Sequence, residues 1–187
     1  MKEKIIQFGE GGFLRGFFDW MLQKVNDKTD FNGSVVVVQP IKEGLCDKLT
    51  ERGCRYTHLC RGVEGTDKSE ISVISRCVKP YDDFEAYLAL AENPDFRFVV
   101  SNTTEAGIVL DENDKFELCP PNTYPGKLTK FLFERAEAFD YAQDKGLIIL
   151  PVELIDDNGI ALKRCVKALA KILSLASLNV AMLAGIF

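Results

Sequence analysis

Four consecutive valines, Val35–Val38, lie inside the run GSVVVVQP (Gly33–Pro40) and constrain this chain more than any other feature. β-Branched residues favour strands. A strand with no polar residue on either side must be covered on both faces. Such a strand belongs to a parallel sheet, and parallel neighbours need crossover connections, usually helices. The valine run therefore predicts an α/β fold and asks for helical patterns on both sides of it.

Those patterns are present. Lys4–Phe8 reads as a short buried strand that stops at Gly9. Phe13 to Asn26 reads as a helix, with Leu14, Phe18, Met21, Leu22 and Val25 on one apolar face. With the valine strand, this makes one βαβ unit. A short helical pattern, KEGLCDKLTERG, ends at Gly53. RYTHLCRG and EISVISRCV then alternate polar and apolar residues around VEGTDKS, which predicts an antiparallel hairpin inserted in the α/β pattern. YDDFEAYLALAEN reads as a helix capped by Asp82 or Asp83. Phe96–Asn102 is another buried strand. GKLTKFLFERAEAF is a helix preceded by Pro125, with Leu128, Phe131, Leu132, Arg135 and Phe139 at helical offsets. GLIILPVELI is a strand broken by Pro151, and NGIALKRCVKALAKIL is a last amphipathic helix. Strands alternating with helices predict a Rossmann-type, doubly wound, mostly parallel sheet. One domain over residues 4–171 accounts for the pattern.

Composition narrows the function. The net charge is −5 and basic residues are scattered among acids, so no nucleic-acid surface is expected. The six cysteines have no CxxC spacing and His58 is the one histidine, which disfavours structural zinc. The cysteines read individually as small buried hydrophobes, and His58 as structural. The opening MKEKIIQF lacks the apolar run of a secretory signal. A cytoplasmic protein with reduced thiols is expected.

The strand–turn–helix IIQFGEGGFLRGFFDW carries the functional signal. In nucleotide-binding βαβ units the first glycine permits a tight turn and the second lets backbone approach the pyrophosphate. The following helix offers free N–H groups and a positive dipole end. Gly9 and Gly11 stand in that context, with Gly12 and Gly16 as extra glycines. Leu14 occupies the usual third glycine position. Arg15, in the first helical turn, either adds a cation for the phosphates or is a solvated helix-face arginine. Gln39 stands where an acidic residue normally contacts the adenosine ribose. Its amide can bond hydroxyls; NAD is expected because it is the more frequent cofactor, and NADP stays open because no charge here repels a 2′-phosphate.

Five segments together, QFGEGGFLRGFFDWM, VVVVQP, VVSNTTEAGI, PGKLTKFLFER and LPVELIDDNG, resemble the mannitol dehydrogenase family of long-chain polyol dehydrogenases, in its tagaturonate-reducing branch. The resemblance runs from about Lys4 to about Lys171. It implies NAD-dependent hydride transfer between nicotinamide and a hexuronate carbonyl, tagaturonate to altronate. Gly9, Gly11, Gly12, Phe13 and Arg15 then belong to the cofactor turn and Gln39 to the ribose position. Ser101, Asn102, Thr103 and Glu105 belong to the loop beside the nicotinamide. SNTTEAG reads equally as a hydrogen-bonded turn.

In mannitol dehydrogenases the segment matching LPVELIDDNG carries Asp-Asn near the substrate carbonyl. Glu153 and Leu154 stand there instead, which favours the hexuronate branch. Glu153 is either a substrate-side group or a strand-end carboxylate bonded locally. The resemblance also implies a helical C-terminal domain bearing the acid/base lysine with its Asn and His neighbours. That domain is expected to be absent from these residues, so the isolated chain is expected to bind cofactor with little turnover. A non-catalytic nucleotide-binding module and a mannitol- or fructuronate-type dehydrogenase are the alternatives.

From Ile172 to Phe187 no residue is charged. The stretch is too short and too polar to span a bilayer comfortably. Three readings stand: packing back on the sheet, self-association through the tail, or an altered or truncated C-terminus, which is the favoured one. The expected partner is a small sugar acid, with neither nucleic acid nor membrane.

Overall fold

The computed structural model describes residues 1–104, 106–115 and 117–172. Residues 105, 116 and 173–187 lie outside it, so the expectations placed on Glu105 and on the apolar tail lie outside the described residues.

Five strands form one parallel sheet: β1 (Lys2–Phe8), β2 (Gly33–Val38), β5 (Ile74–Val78), β6 (Phe98–Ser101) and β7 (Ile148–Pro151). Their spatial order is β5-β2-β1-β6-β7. The chain winds outward from β1 to one edge, then returns to β1's other side and winds to the opposite edge. This is the doubly wound Rossmann arrangement.

The valine run divides as a strand must. Val36 and Val38 join Ile6, Phe8, Val99 and Ile149 in one core layer. Helices α3 (Phe84–Leu88), α4 (Tyr124–Ala138) and α5 (Asn158–Ile172) cover that layer through Tyr87, Phe131 and Leu162. Val35 and Val37 point the other way, with Ile5, Ile74 and Val100, under Leu14, Leu22 and Cys46. That second layer is supplied by α1 (Asp19–Lys28), the turn Leu14–Phe18 ahead of it, and α2 (Cys46–Glu51).

Local chemistry sets the helix ends. Asp83 caps α3 by accepting from the Ala86 N–H at 2.9 Å. Thr123 caps α4 by accepting from Gly126 at 3.0 Å, and Pro125 stands inside the first turn, where its missing N–H leaves no bond unmade. Arg135 of α4 is buried and ties four backbone carbonyls, those of Ala91, Asn93, Phe96 and Lys145, at 2.8–3.2 Å.

Two elements differ from the sequence reading. The hairpin is present, but its strands are β3 (Tyr56–Gly62) and β4 (Gly65–Ile71). The expected turn VEGTDKS is mostly strand: the reversal needs only Val63 and Glu64, because Gly65 takes φ 123°. EISVISRCV is therefore split. Its first two residues end β4, and Ile74–Val78 pairs parallel with β2 as a sheet edge.

The other difference lies ahead of α1. Leu14–Phe18 forms a π-turn, which accommodates one more residue than an α-turn. The phase of the helix shifts. Leu14, Asp19 and Leu22 become the buried residues, while Met21 and Val25, expected on the core face, are 38% and 42% exposed.

Candidate functional site

The sheet order reverses between β1 and β6, so the two chain connections leave in opposite directions there. The crevice at the carboxyl ends of these strands is where open α/β sheets hold ligands. Gly9 lies at its floor. Its N–H donates to the Val38 carbonyl at 3.0 Å, and the Asn102 N–H donates to Phe8 at 3.1 Å, so the loops after β1, β2 and β6 are joined. Gly9 has φ 109°, and a Cβ there would sit 2.8 Å from the Asn102 carbonyl oxygen. Both facts require glycine.

The glycines that follow are open. A Cβ at Gly11 or Gly12 would meet nothing within 4 Å. The backbone of this turn is thus available to a ligand at the start of a helix, whose first N–H groups have no intrahelical acceptor. Phe13 is exposed and its ring packs against Phe17, with centroids 5.2 Å apart. Arg15 turns back toward the turn, its Nε donating to the Glu10 carbonyl at 2.8 Å, with the guanidinium 5.8 Å from the Tyr56 ring centroid.

Beneath Arg15 lies a polar cluster that sequence reading did not single out. Asp19 is fully buried by α1, the sheet and the hairpin. Burial pushes its carboxyl up to about 7; the hydrogen bond with Tyr56 and the Arg15 charge offset part of the rise. The Tyr56 hydroxyl lies 2.7 Å from the Arg15 carbonyl oxygen and 3.0 Å from Asp19 Oδ2. The π-turn is what brings an acid to this core position. A uniform 3.6-residue period places Asp19 outside it.

The loop after β2 is shaped by two side chains. Gln39, buried, donates both amide hydrogens inward, to Ile41 and Lys42 carbonyls at 3.0 Å each, and its Oε1 accepts from the Cys46 N–H at 3.3 Å. Glu10 accepts from the Leu45 N–H at 3.0 Å, and desolvation raises its pKa. Gly44 fits between them: a Cβ there would lie 2.5 Å from Gln39 Oε1. The Gln39 side chain is thus engaged in holding the loop, and only the second lone pair of Oε1 is left for a ribose hydroxyl.

The loop after β6 is tied to β7. Glu153, buried, accepts from Ser101 Oγ at 3.2 Å, from the Thr103 N–H at 3.1 Å and from Thr103 Oγ1 at 3.0 Å. Asn102 Nδ2 donates to the Val152 carbonyl at 2.8 Å. Of the two roles open to Glu153, this geometry is that of the strand-end carboxylate. The side chains of Ser101, at the end of β6, and of Asn102 and Thr103, in the loop after it, bond across to Val152 and Glu153, just past β7. Beside them opens a cleft of about 300 Å³, lined by Pro40, Ile41, Thr103, Thr104, Val109 and Tyr124 among others. It lies between the loop after β2, the loop after β6 and the start of α4.

Residues 3–182 match the family described as the mannitol dehydrogenase Rossmann domain. The chain belongs to this family. It is 49% identical to the altronate oxidoreductase of Phocaeicola vulgatus and 50% identical to that of Bacteroides thetaiotaomicron, over 171 residues in each case. The Bacillus subtilis altronate oxidoreductase is 49% identical over 168 residues. Each match covers 88% of this chain and 35% of the relative, so the chain spans about a third of the length of these proteins. Among solved structures, the Pseudomonas fluorescens mannitol 2-dehydrogenase ternary complex with NAD and D-mannitol aligns with a TM-score of 0.80 at 20% identity. That alignment covers all of this chain and 39% of the other. A substrate-free D-sorbitol dehydrogenase gives a TM-score of 0.76 at 18% identity, covering 40% of that chain. These two establish the family's Rossmann fold in the described residues. No helix among those residues is long and apolar enough to cross a membrane.

Proposed function

We infer that this chain is the dinucleotide-binding part of an NAD-dependent oxidoreductase that interconverts a hexuronate carbonyl and its alcohol, tagaturonate and altronate. The observation that carries the reading is the open glycine turn, Gly9–Gly12, at the sheet's reversal point and at the start of a helix. The names of the relatives at 47–50% identity support the substrate class, and the NAD in the mannitol 2-dehydrogenase complex supports the cofactor.

The turn fits a dinucleotide. Gly11 and Gly12 offer backbone to the pyrophosphate, and Arg15 brings positive charge to the same end of the helix. The cleft between the loop after β2 and the Thr103 loop lies at the same carboxyl ends of the sheet. NAD, when bound, supplies the hydride acceptor. The chain's part is to fix the dinucleotide: Gly9 keeps the floor open, Gln39 and Glu10 hold the wall after β2, and Glu153 holds the Ser101–Thr103 wall. The proton that accompanies hydride transfer needs an acid/base group at the substrate, and Glu153 is engaged by Ser101 and Thr103. The 187-residue protein accordingly binds NAD without appreciable turnover.

Titration with NADH followed by nicotinamide fluorescence tests the reading. Saturable binding at micromolar to millimolar cofactor is expected, with no altronate oxidation by the same preparation. Absence of NADH binding at millimolar cofactor overturns it, and robust turnover of altronate overturns the division of labour.

A further inference from the structure

The hairpin β3–β4 stands outside the parallel sheet, yet one of its residues reaches the glycine turn. Tyr56, the first residue of β3, places its hydroxyl 2.7 Å from the Arg15 carbonyl oxygen and its ring centroid 5.8 Å from the guanidinium carbon of Arg15. Arg15 in turn holds the glycines: its Nε donates to the Glu10 carbonyl at 2.8 Å and its backbone N–H to the Gly11 carbonyl at 3.2 Å. At the other end, Gln7 Nε2 donates to the Gly9 carbonyl at 3.1 Å. The segment Gly9–Arg15 is thus clipped twice, once by its own strand and once by a residue 41 positions later.

Asp19 lies against the second clip. It is fully buried, its Oδ2 is 3.0 Å from the Tyr56 hydroxyl, and its Oδ1 has no hydrogen-bond partner among the described residues. A buried carboxylate with an unpartnered oxygen is costly. A negative charge beneath the start of a helix also opposes the anion that such a start attracts. The ionisable groups facing Asp19 are Tyr56 from β3 and Arg15 from the turn ahead of α1. β1 presents Gln7, which does not titrate, and Glu10 directs its carboxylate to the Leu45 N–H instead. Burial raises the Tyr56 phenol, so Tyr56 keeps its one hydrogen at neutral pH. A carboxylate attracts that hydrogen more strongly than a neutral carbonyl does, so ionisation of Asp19 shifts it away from Arg15. Burial sets the Asp19 carboxyl at about 7, within the range of a binding experiment.

We propose that Tyr56 and Asp19 are positioning residues for the phosphates of the dinucleotide: Tyr56 holds Arg15 against the glycine turn while Asp19 is neutral, and ionised Asp19 loosens that hold and sets a negative charge under the turn. Phosphate binding and the proton on Asp19 then favour each other, and the coupling is reciprocal. NADH affinity is full where Asp19 is protonated and declines as pH rises through neutrality. The inference rests on the nucleotide reading of the turn.

The test measures NADH affinity of the 187-residue protein by fluorescence at pH 6 and pH 8, and proton uptake by calorimetry in two buffers of different ionisation enthalpy. Wild-type affinity is expected to fall about three- to tenfold between the two pH values, with about half a proton taken up per NADH near pH 7.5. Asp19→Asn is expected to flatten the profile, to take up no proton, and to bind NADH more tightly than wild type at pH 8. Tyr56→Phe, its fold checked by circular dichroism, is expected to lose at least threefold in affinity at pH 6. A profile shared by wild type and Asp19→Asn, or wild-type binding without proton uptake, overturns the role of Asp19. A folded Tyr56→Phe protein that binds like wild type overturns the clip. If Tyr56→Phe does not fold, the Asp19→Asn profile and the wild-type proton uptake decide the proposal. Absence of NADH binding at both pH values defeats the nucleotide reading and this inference with it.

Discussion

The Tyr56 hydroxyl has one hydrogen and two oxygen neighbours: the Arg15 carbonyl at 2.7 Å and Asp19 Oδ2 at 3.0 Å. A carbonyl can only accept. Both oxygens compete for the one Tyr56 hydrogen, so the hydroxyl gives an ionised Asp19 only part of the support that its burial demands. Burial outweighs that shared bond and raises the Asp19 carboxyl to about 7, beneath the glycine turn.

The sign of the pH dependence follows. A carboxyl in the unfolded chain has a pKa of about 4, and in the folded protein about 7. Between these values the folded state holds a proton that the unfolded state releases. Asp19's contribution is therefore fully present below pH 4, declines as pH rises toward 7, and is absent above it, at up to about 1.4 kcal/mol per pH unit. Asp19→Asn keeps the shape and carries its own N–H for Tyr56. It should be more stable than wild type at pH 8 by about 1–3 kcal/mol. The difference should vanish or reverse at pH 5. Urea midpoints at the two pH values measure this, and an equal shift at both would show that Asp19 does not titrate on folding.

Arg135 offers a second test, in the other core layer. Its guanidinium is buried and serves four carbonyls, and desolvation lowers its pKa to about 10, which leaves it charged at neutral pH. Lysine brings the charge but not the planar fork of donors. Arg135→Lys should lose about 2–4 kcal/mol, because buried carbonyls are left unpaired. Thermal and urea unfolding report it. A loss under 0.5 kcal/mol would mean that water replaces the fork.

How far the sequence discloses this molecule depends on which physical signal each feature leaves. Val35–Val38 leaves a strong one, since unbroken β-branching on both faces has few other uses, and the strand is where it was expected. Gly9 likewise follows from its place between strand and helix. The π-turn leaves none: its extra residue moves Asp19 into the core and Met21 out, and no period shows that. β4 is misread because GTDKSEI is polar on most positions; its pairing with β3 comes from the hairpin, not from burial. At the site, residue type did not reveal direction. Gln39, Ser101, Asn102, Thr103 and Glu153 are polar residues at strand ends, and whether such groups face a ligand or one another depends on distances of a few ångströms.

Gly9 and Gly11 separate folding from binding. Alanine at Gly9 meets both a positive φ and the Asn102 carbonyl. Gly9→Ala should cost about 1–3 kcal/mol and abolish NADH binding. Alanine at Gly11 meets nothing in the protein, so stability should stay within about 0.5 kcal/mol of wild type. On the proposed reading its methyl meets the pyrophosphate, and NADH affinity should fall at least tenfold. Calorimetric melting with fluorescence titration on both variants gives the answer; a Gly11→Ala protein that binds normally would remove the pyrophosphate from that turn.

Gln39 decides between two ways of recognising the adenosine end. As a direct ribose contact, it would bias the site between NADH and NADPH. As the clip of the loop after β2, it acts through the carbonyls of Ile41 and Lys42 and the N–H of Cys46. Gln39→Ala leaves those three groups unpartnered, at about 1–3 kcal/mol of stability, and loosens the cleft wall formed with Pro40 and Ile41. Because the observed bonds point inward, NADH and NADPH affinities should fall together, with their ratio changed less than threefold. Dissociation constants for both cofactors, measured on wild type and variant, check this. A ratio shifted tenfold or more would return Gln39 to the ribose.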